Sequence, residues 1–520
     1  PWLGSSIVVW TSLIGVILAS LSVGYWLGGR LADNFLKDAP RTAGAPDAAG
    51  AKDKSGKAGH DARSNLKACA VLSTVLLMAS LTVFITALIG DMVPSFLMSL
   101  FSSLHLATVG AALALFAVPS VLCGIVSPYA MRLAITSKDR AGTVIGRLNA
   151  IATVGSIVGT FLGGFVLLSW FDTTSIFFGV AACLLLASAL VQLRPLMPKA
   201  SFALLLAGAM VANGLYSNWL VENAFAENKA IPIETSYSSI RVARGTLEGR
   251  PTRFLLTDPD SCQSGAFEDD HDALAFSYTK FYALGTAMNP GAKRILMLGG
   301  GGYSVPKWLL AGRSELERQE FQLDTVELDP GMTRAAAQYF WLPQDDKRMR
   351  IFHEDARAFV NRTSAAVPEG EYGPYQLIFA DIFNSWYTVP FHVGTAEAAA
   401  NIKRLLSRDG IYIMNIISAI NGDNGRLLRS IRNAFAESFD EVHIFPVQQK
   451  YNGGVVQNVM LLAFRTPRAL PDPEKEPVPP HIALMLGNRW TSPFPAPEDD
   501  VPALRDGYAP VERYTLGFVR

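Results

Sequence analysis

Arg294-Ile-Leu-Met-Leu-Gly-Gly-Gly-Gly-Tyr-Ser304 runs a short apolar stretch into four consecutive glycines. Glycine lets a chain turn tightly and lets its backbone approach a ligand with no Cβ in the way. Alone the run is a weak signal. The dinucleotide fingerprint G-x-G-x-x-G asks for glycine where this sequence has Ser304, and a plain structural turn is the alternative. A second apolar stretch, Thr325-Val-Glu-Leu-Asp329, ends in acids. It lies about 25 residues on, near where a ribose-binding carboxylate stands in nucleotide-binding sheets. Asp355 follows a third such stretch, and Asp381 ends a fourth, Leu377-Ile-Phe-Ala-Asp-Ile-Phe-Asn384. Ligands bind beyond the carboxyl ends of parallel strands. Gly299, Gly300, Gly301, Gly302, Glu327, Asp355 and Asp381 therefore read as one nucleoside-binding constellation, with chance helix caps as the alternative.

Positioning them requires strands that alternate with helices. The pattern gives strands at Arg294–Leu298, Gln322–Leu328, Met349–His353, Tyr375–Ala380 and Gly410–Asn415. Helices fall between them, near Val305–Ala311, Met332–Tyr339, Ala356–Val360 and Thr395–Leu406. Such alternation predicts a parallel sheet covered by helices. Ahead of it, Thr235–Val242 and Arg253–Leu256 read as a small β-hairpin and Leu274–Ala287 as one helix. The proline-rich segment 467–520 reads as a mostly extended tail.

The first 221 residues follow different rules. Six stretches lack Asp, Glu, Lys and Arg: Trp2–Gly29, Cys69–Ile89, Leu104–Met131, Leu148–Phe171, Thr173–Leu193 and Ala200–Val221. Each is long enough for the roughly 20-residue helix that crosses a bilayer. Pro119 and Pro128 are expected to kink the third or split off a re-entrant piece. Gly155, Gly159 and Gly163 have the small-xxx-small spacing of close helix packing. With no charge inside any of the six, an ion-coupled transporter is disfavoured. Lys and Arg in the 30–68 and 132–147 loops mark both as cytoplasmic, and counting spans from there puts everything after Val221 on the far side.

The 520 residues carry 45 Lys+Arg against 45 Asp+Glu, a balance without the basic excess of a nucleic-acid binder. Charged residues are 17%, against about 25% for a typical soluble chain, which excludes disorder and argues against a wholly soluble protein. Four cysteines at unrelated spacings give neither a disulfide framework nor a metal motif, so no metal site is expected. His271 among Glu268, Asp269, Asp270 and Asp272 reads as a solvated acidic loop.

At these residues the chain resembles the spermidine synthase family of aminopropyltransferases, relatives of the Rossmann-like methyltransferases. The likeness covers roughly 235–465 and includes Glu234-Thr-Ser-Tyr-Ser-Ser-Ile-Arg-Val242, Thr257-Asp-Pro-Asp-Ser-Cys-Gln263 and Phe276-Ser-Tyr-Thr-Lys280. Val9-Trp-Thr-Ser-Leu-Ile-Gly15, Gly24-Tyr-Trp-Leu-Gly-Gly-Arg-Leu-Ala-Asp33, Val389-Pro-Phe-His392 and Tyr508-Ala-Pro-Val-Glu512 are similar to its membrane-fused bacterial branch. The resemblance implies a further span before Trp2 and a bacterial inner-membrane location. It implies that Gly299–Gly302 face a sulfonium cofactor, Glu327 holds the ribose hydroxyls and Asp355 the adenine amino group. Gln263 and Tyr278 would line the substrate site, and Asp381 would sit at the attacking amine. Tyr387, with Trp386, reads as a stacking residue or as the edge of the core. Two positions depart from the family. Gly302 stands where an Asp usually contacts the amine of decarboxylated S-adenosylmethionine, and Ile382, Phe383, Asn384 and Ser385 stand where a second acid is usual. Both changes remove negative charge and favour S-adenosylmethionine itself.

The expected architecture is thus a multi-pass α-helical membrane domain (1–221), a β-hairpin region with a lead-in helix (222–290), a Rossmann-like α/β nucleoside-binding domain (291–466) and a tail (467–520). The expected function is transfer of an aminopropyl or methyl group from S-adenosylmethionine or its decarboxylated form. Expected partners are the lipid bilayer and a small-molecule amine acceptor, not nucleic acid; a second copy or another membrane protein stays open. The side of the soluble domain also stays open, since donor supply is cytosolic while the loop charges say otherwise. The alternatives are a non-catalytic membrane protein whose soluble domain binds a nucleoside or a partner, and a transporter with a regulatory domain.

Overall fold

A computed structural model describes residues 7–35, 54–90, 92–101, 104–135, 141–224, 230–235, 237–258, 261–312, 320–383, 389–448, 452–496, 500–515 and 518. The chain divides into two compact units, Trp2–Glu222 and Asn223–Arg520.

The N-terminal unit is helical. Among the described residues, six helices are long and apolar enough to cross a membrane: Val9–Asn34, Leu66–Ile89, Leu106–Ala134, Ala141–Leu167, Thr173–Val191 and Leu196–Leu220. Large apolar side chains such as Trp10, Leu18, Trp26, Phe165 and Leu190 point outward, which suits lipid and not water. Helix Leu104–Ala134 is continuous through both prolines, so no re-entrant piece splits off. A tightly packed neighbour explains the tolerance: a Cβ on Gly28 would lie 2.7 Å from Pro128 Cγ, and one on Gly24 2.3 Å from the Val121 carbonyl. The close glycine crossing is thus at Gly24, Gly28 and Gly124. Gly155, Gly159 and Gly163, expected to pack closely, face open space: a Cβ added at any of them would meet nothing within 4 Å. The last helix begins at Leu196, so it contains a charge that the six uncharged stretches left out. Lys199 is buried, and its Nζ donates to Ser73 Oγ (2.5 Å), to the Ser188 carbonyl (3.0 Å) and to the Gln192 carbonyl. Those carbonyls close helix Thr173–Val191, where a cation is favourable.

The C-terminal unit opens with a four-stranded antiparallel sheet, β1 (Ile231–Glu234), β2 (Ser239–Leu247), β3 (Arg250–Asp258) and β4 (Ser261–Phe267), in sequence order. It is larger than the hairpin expected. Glu248 and Gly249 both have positive φ, the backbone a two-residue turn between twisted strands needs.

The second sheet contains β5 (Arg294–Leu298), β6 (Gln322–Val326), β7 (Met349–Phe352), β8 (Tyr375–Ala380), β9 (Leu406–Ser418), β10 (Val442–Pro446) and β11 (Gln457–Phe464). Their order is β10-β11-β9-β8-β5-β6-β7. Strands β5 to β9 are mutually parallel where paired, and β11 runs antiparallel to both neighbours. The parallel strands, counted along the chain, lie 3-2-1-4-5, so the order reverses between β5 and β8, where ligands bind in open α/β sheets. Alternate residues face alternate layers. Leu296, Leu298, Ile378, Ala380, Tyr412 and Met414 pack with helices Ala356–Ala365, Ala396–Leu405 and Arg426–Ala436. Ile295, Met297, Leu377, Phe379, Ile411 and Ile413 pack with helix Ser304–Ala311 and with Phe281, Tyr282 and Ile482 on the other face.

Two further expectations about this unit need correction. The single helix Leu274–Ala287 is two short ones, Ser277–Lys280 and Ala283–Met288. Phe281 and Tyr282 between them are both buried, and anchoring these adjacent aromatics breaks the run. Segment 467–520 is not an extended tail. It folds into helices Pro480–Leu486 and Val511–Thr515 and buries Ile482, Leu486, Val501, Leu504 and Val511. Helix Arg426–Ala436 and the hairpin β10–β11 complete the sheet beyond the strands that the alternation revealed.

Candidate active site

The site is built at the reversal point. Gly299 follows β5 with φ +93°, and a Cβ there would lie 2.1 Å from the Asp381 carbonyl. Only glycine lets the β5 loop pass so close to the end of β8. Asp381 N–H donates to the Leu298 carbonyl (2.8 Å), fixing the two strand ends in register. Gly301 also has positive φ (+51°), and the turn exposes the N–H groups of Gly300 and Gly301. Both donate to Glu327 Oε2, at 2.9 and 3.1 Å, while Glu327 Oε1 accepts from Asp329 N–H at 2.9 Å. Burial pushes the Glu327 carboxyl above its ordinary range, against these three bonds.

Asp381 is the most perturbed acid here. Tyr278 Oη donates to its Oδ2 (3.0 Å) and Asn415 Nδ2 to its Oδ1 (3.1 Å). Desolvation outweighs both bonds and pushes its carboxyl to about 6. Tyr278 comes from helix Ser277–Lys280, and its hydroxyl also lies 3.5 Å from the Gln263 carbonyl on β4. Two amide oxygens, Asn415 Oδ1 on the residue that bonds Asp381 and Gln263 Oε1 on β4, are buried and have no hydrogen-bond donor among the described residues. A buried acceptor without a donor is costly, so each of these oxygens has capacity to accept an N–H group.

Asp355 lies at the end of β7, where its Oδ1 caps helix Ala356–Ala365 through Ala358 N–H (2.9 Å). Its Oδ2 pairs with His392 Nε2 at 3.0 Å, which holds the Asp355 carboxyl below the usual range. Gly302 is closely covered. A Cβ there would meet Ser264 Oγ at 2.5 Å and Ser264 Cβ at 2.9 Å. Tyr387 and Trp386 lie outside the described residues. Among the described residues no group of three His, Cys, Asp or Glu could hold a metal ion.

The structure thus gathers the Gly299–Gly302 turn, Glu327, Asp381, Gln263 and Tyr278 around the ends of β4, β5, β6 and β8, with Asp355 one strand further along at β7. Asn415 is the residue that sequence reasoning missed. It is the single polar side chain in Ile411-Tyr-Ile-Met-Asn-Ile-Ile417 and is buried, and a lone amide in an apolar strand is a readable signal. Ser264 and Tyr282, whose hydroxyl reaches the Ala380 carbonyl at 2.7 Å, left no such mark.

No family model matches the chain. A polyamine aminopropyltransferase of Vibrio vulnificus (strain CMCP6) is 30% identical over 208 residues, which is 40% of this chain and 64% of that protein. The chain therefore spans less than two thirds of that relative's length. Among solved structures, a probable spermidine synthase from Corynebacterium glutamicum ATCC 13032 is 20% identical, covering 46% of this chain and 81% of that one, with TM-score 0.37. Human methyltransferase-like protein 13, solved with SAH, is 23% identical, covering 41% and 91%, with TM-score 0.32. Neither likeness carries chemistry to this chain; strand order and site geometry are its own. The C-terminal unit is an open α/β sheet with its parallel strands in the order 3-2-1-4-5, and over 208 residues the chain's sequence is similar to that polyamine aminopropyltransferase.

Proposed function

We propose that the protein is a membrane-anchored transferase that takes an S-adenosyl sulfonium donor and an amine acceptor. The observation that carries this reading is the desolvated Asp381 carboxylate, held by Tyr278 and Asn415, with the Asn415 Oδ1 oxygen left without a donor among the described residues. An alkylammonium ordinarily titrates near 10, so an acceptor amine must lose a proton before it can attack. Asp381, at about 6, is mostly ionised at pH 7 and would accept that proton from an ammonium made more acidic by the cationic sulfonium beside it. The amine nitrogen then bonds to the carbon beside the sulfonium. The C–S bond breaks, its electron pair stays on sulfur, and a neutral thioether nucleoside leaves. Asn415 Oδ1 would accept a hydrogen bond from the cationic product nitrogen, and Asp381, now protonated, passes the proton to solvent. The Gly299–Gly302 turn, Glu327 and Asp355 would hold the nucleoside, and positioning supplies much of the rate in such a displacement.

Between the two donors, the turn favours S-adenosylmethionine. Its decarboxylated form would need an acid at 302 for its amine, and Ser264 fills the space that such a side chain would take. The test is product analysis. The detergent-purified chain is incubated with each donor and a mixture of amine acceptors, and the nucleoside product is read by mass spectrometry. S-Adenosylhomocysteine from the ordinary donor supports methyl transfer. Methylthioadenosine from the decarboxylated donor alone would overturn the preference at Gly302. Neither product from either donor would move the assignment to a nucleoside-binding membrane protein.

A further inference from the structure

His392 pairs with Asp355, and the C-terminal segment bonds residues that hold His392 in place. The Arg357 guanidinium, nearly buried, donates through Nη1 to the His392 carbonyl (2.7 Å) and to Thr395 Oγ1 (2.9 Å), and through Nη2 to Asp506 Oδ2 (2.7 Å). Thr395 Oγ1 donates to Asp506 Oδ1 at 2.7 Å. Arg357 Nε reaches Asn361 Oδ1 (2.7 Å), so its fork is held from three sides. Asp506 N–H donates to Glu397 Oε2 (3.1 Å), and the Leu504 carbonyl accepts from Ala396 N–H (2.9 Å). Thr395 is fully buried. One rigid network therefore runs from Asp506, more than 100 residues away in sequence, to the backbone of the residue whose imidazole faces Asp355.

The consequence lies in the acceptor capacity of Asp355. Its Oδ1 is turned to the helix cap, and its Oδ2 keeps a second lone-pair direction with which to accept from a ligand. His392 Nε2 sits on that oxygen, uses one of its two lone-pair directions and fixes the rotamer that aims the other. We infer that His392 is a positioning residue for the adenine end of the donor, and that the Arg357–Asp506–Thr395 network sets its place. The C-terminal segment is then a working part of the site. This inference rests on the reading of Asp355 as the contact to the adenine amino group.

The experiment measures binding of S-adenosylhomocysteine and of S-inosylhomocysteine, which lacks the 6-amino group, to the detergent-purified full chain. Wild type, His392→Ala, His392→Gln, Asp506→Asn and Asp355→Asn are compared. His392→Ala and Asp506→Asn are each expected to weaken S-adenosylhomocysteine about tenfold. His392→Gln, which keeps an N–H for Asp355, is expected to recover most of the loss. The penalties are expected to vanish with the inosyl ligand, an outcome that general loosening of the fold does not produce. If wild type binds, Asp355→Asn weakens and the His392 and Asp506 variants bind as wild type, the network has no part in recognition and the inference is overturned. Penalties of equal size for both ligands also overturn it, in favour of plain structural support. If Asp355→Asn binds as wild type, or wild type binds neither ligand, the donor-site reading itself falls and takes the inference with it.

Discussion

Asp381→Asn is expected to stabilise the protein at neutral pH while it removes the chemistry. The native carboxyl titrates near 6, against an ordinary value of 3.8. That is about 2 units at 1.36 kcal/mol each, or about 3 kcal/mol. Asp381 keeps some residual exposure, so this is an upper bound and about 2 kcal/mol is the working figure. The sign follows from linkage. A folded-state value above the unfolded one means that the fold prefers the neutral form. The contribution is fully present below about pH 4 and is lost as pH rises through about 6. Wild type therefore loses stability between pH 4 and pH 7 from this group, and the Asp381→Asn variant does not. An amide keeps the size of the side chain. One oxygen still accepts from Tyr278, and its N–H₂ can face Asn415 Oδ1, which has no donor, once that amide turns. At roughly 2 °C per kcal/mol for a unit of this size, the variant melts about 4 °C above wild type at pH 8, and the gap closes toward pH 4. Fluorescence-detected melting in detergent at five pH values reads this directly. A gap that does not change with pH, or a variant that melts lower at pH 8, would refute the argument that desolvation dominates at Asp381.

Three further outcomes follow from the same geometry. Tyr278→Phe removes a bond that holds the Asp381 carboxyl down, so the acidic limb of the pH–rate profile should move upward from about 6; an unmoved limb means that Tyr278 does not bond the ionised form. Gly299→Ala combines positive φ with a 2.1 Å contact to the Asp381 carbonyl, and it should abolish S-adenosylhomocysteine binding in a calorimetric titration, whereas Gly249→Ala, also at positive φ but with open space around it, should leave binding intact. Lys199→Met removes the three bonds that its Nζ donates to Ser73 Oγ and to two helix-end carbonyls, and it should cost the membrane unit about 2 kcal/mol, read as a lower melting temperature in detergent.

What could be read from the sequence was whatever is periodic or local. The uncharged stretches are long enough to announce helices, and the apolar runs ending in Gly302, Glu327 and Asp381 announce strand ends because chemistry there needs specific residue types. Lys199 escaped because a charge ended the uncharged stretch although the helix ran on; only packing shows that Ser188 and Gln192 offer it carbonyls. The segment 467–520 escaped because prolines dominate its composition, while burial of Ile482, Leu504 and Val511 depends on a sheet face that no local pattern reveals. Asn415 and His392 were visible as types, yet their roles are distances to Asp381 and Asp355, and those are tertiary facts. Gly155, Gly159 and Gly163 show the converse: their spacing suits a close crossing, and the crossing that forms uses Gly24, Gly28 and Gly124 instead.

The central claim separates binding from turnover at a single carboxylate. The measurement is the dissociation constant for S-adenosylhomocysteine and the rate of nucleoside product release, taken on the same preparations of wild type and Asp381→Asn. The account predicts that both proteins bind the nucleoside within a fewfold of each other and that only wild type forms product from the sulfonium donor and an amine. Equal product formation by the two proteins, or binding with no product from wild type itself, would contradict it.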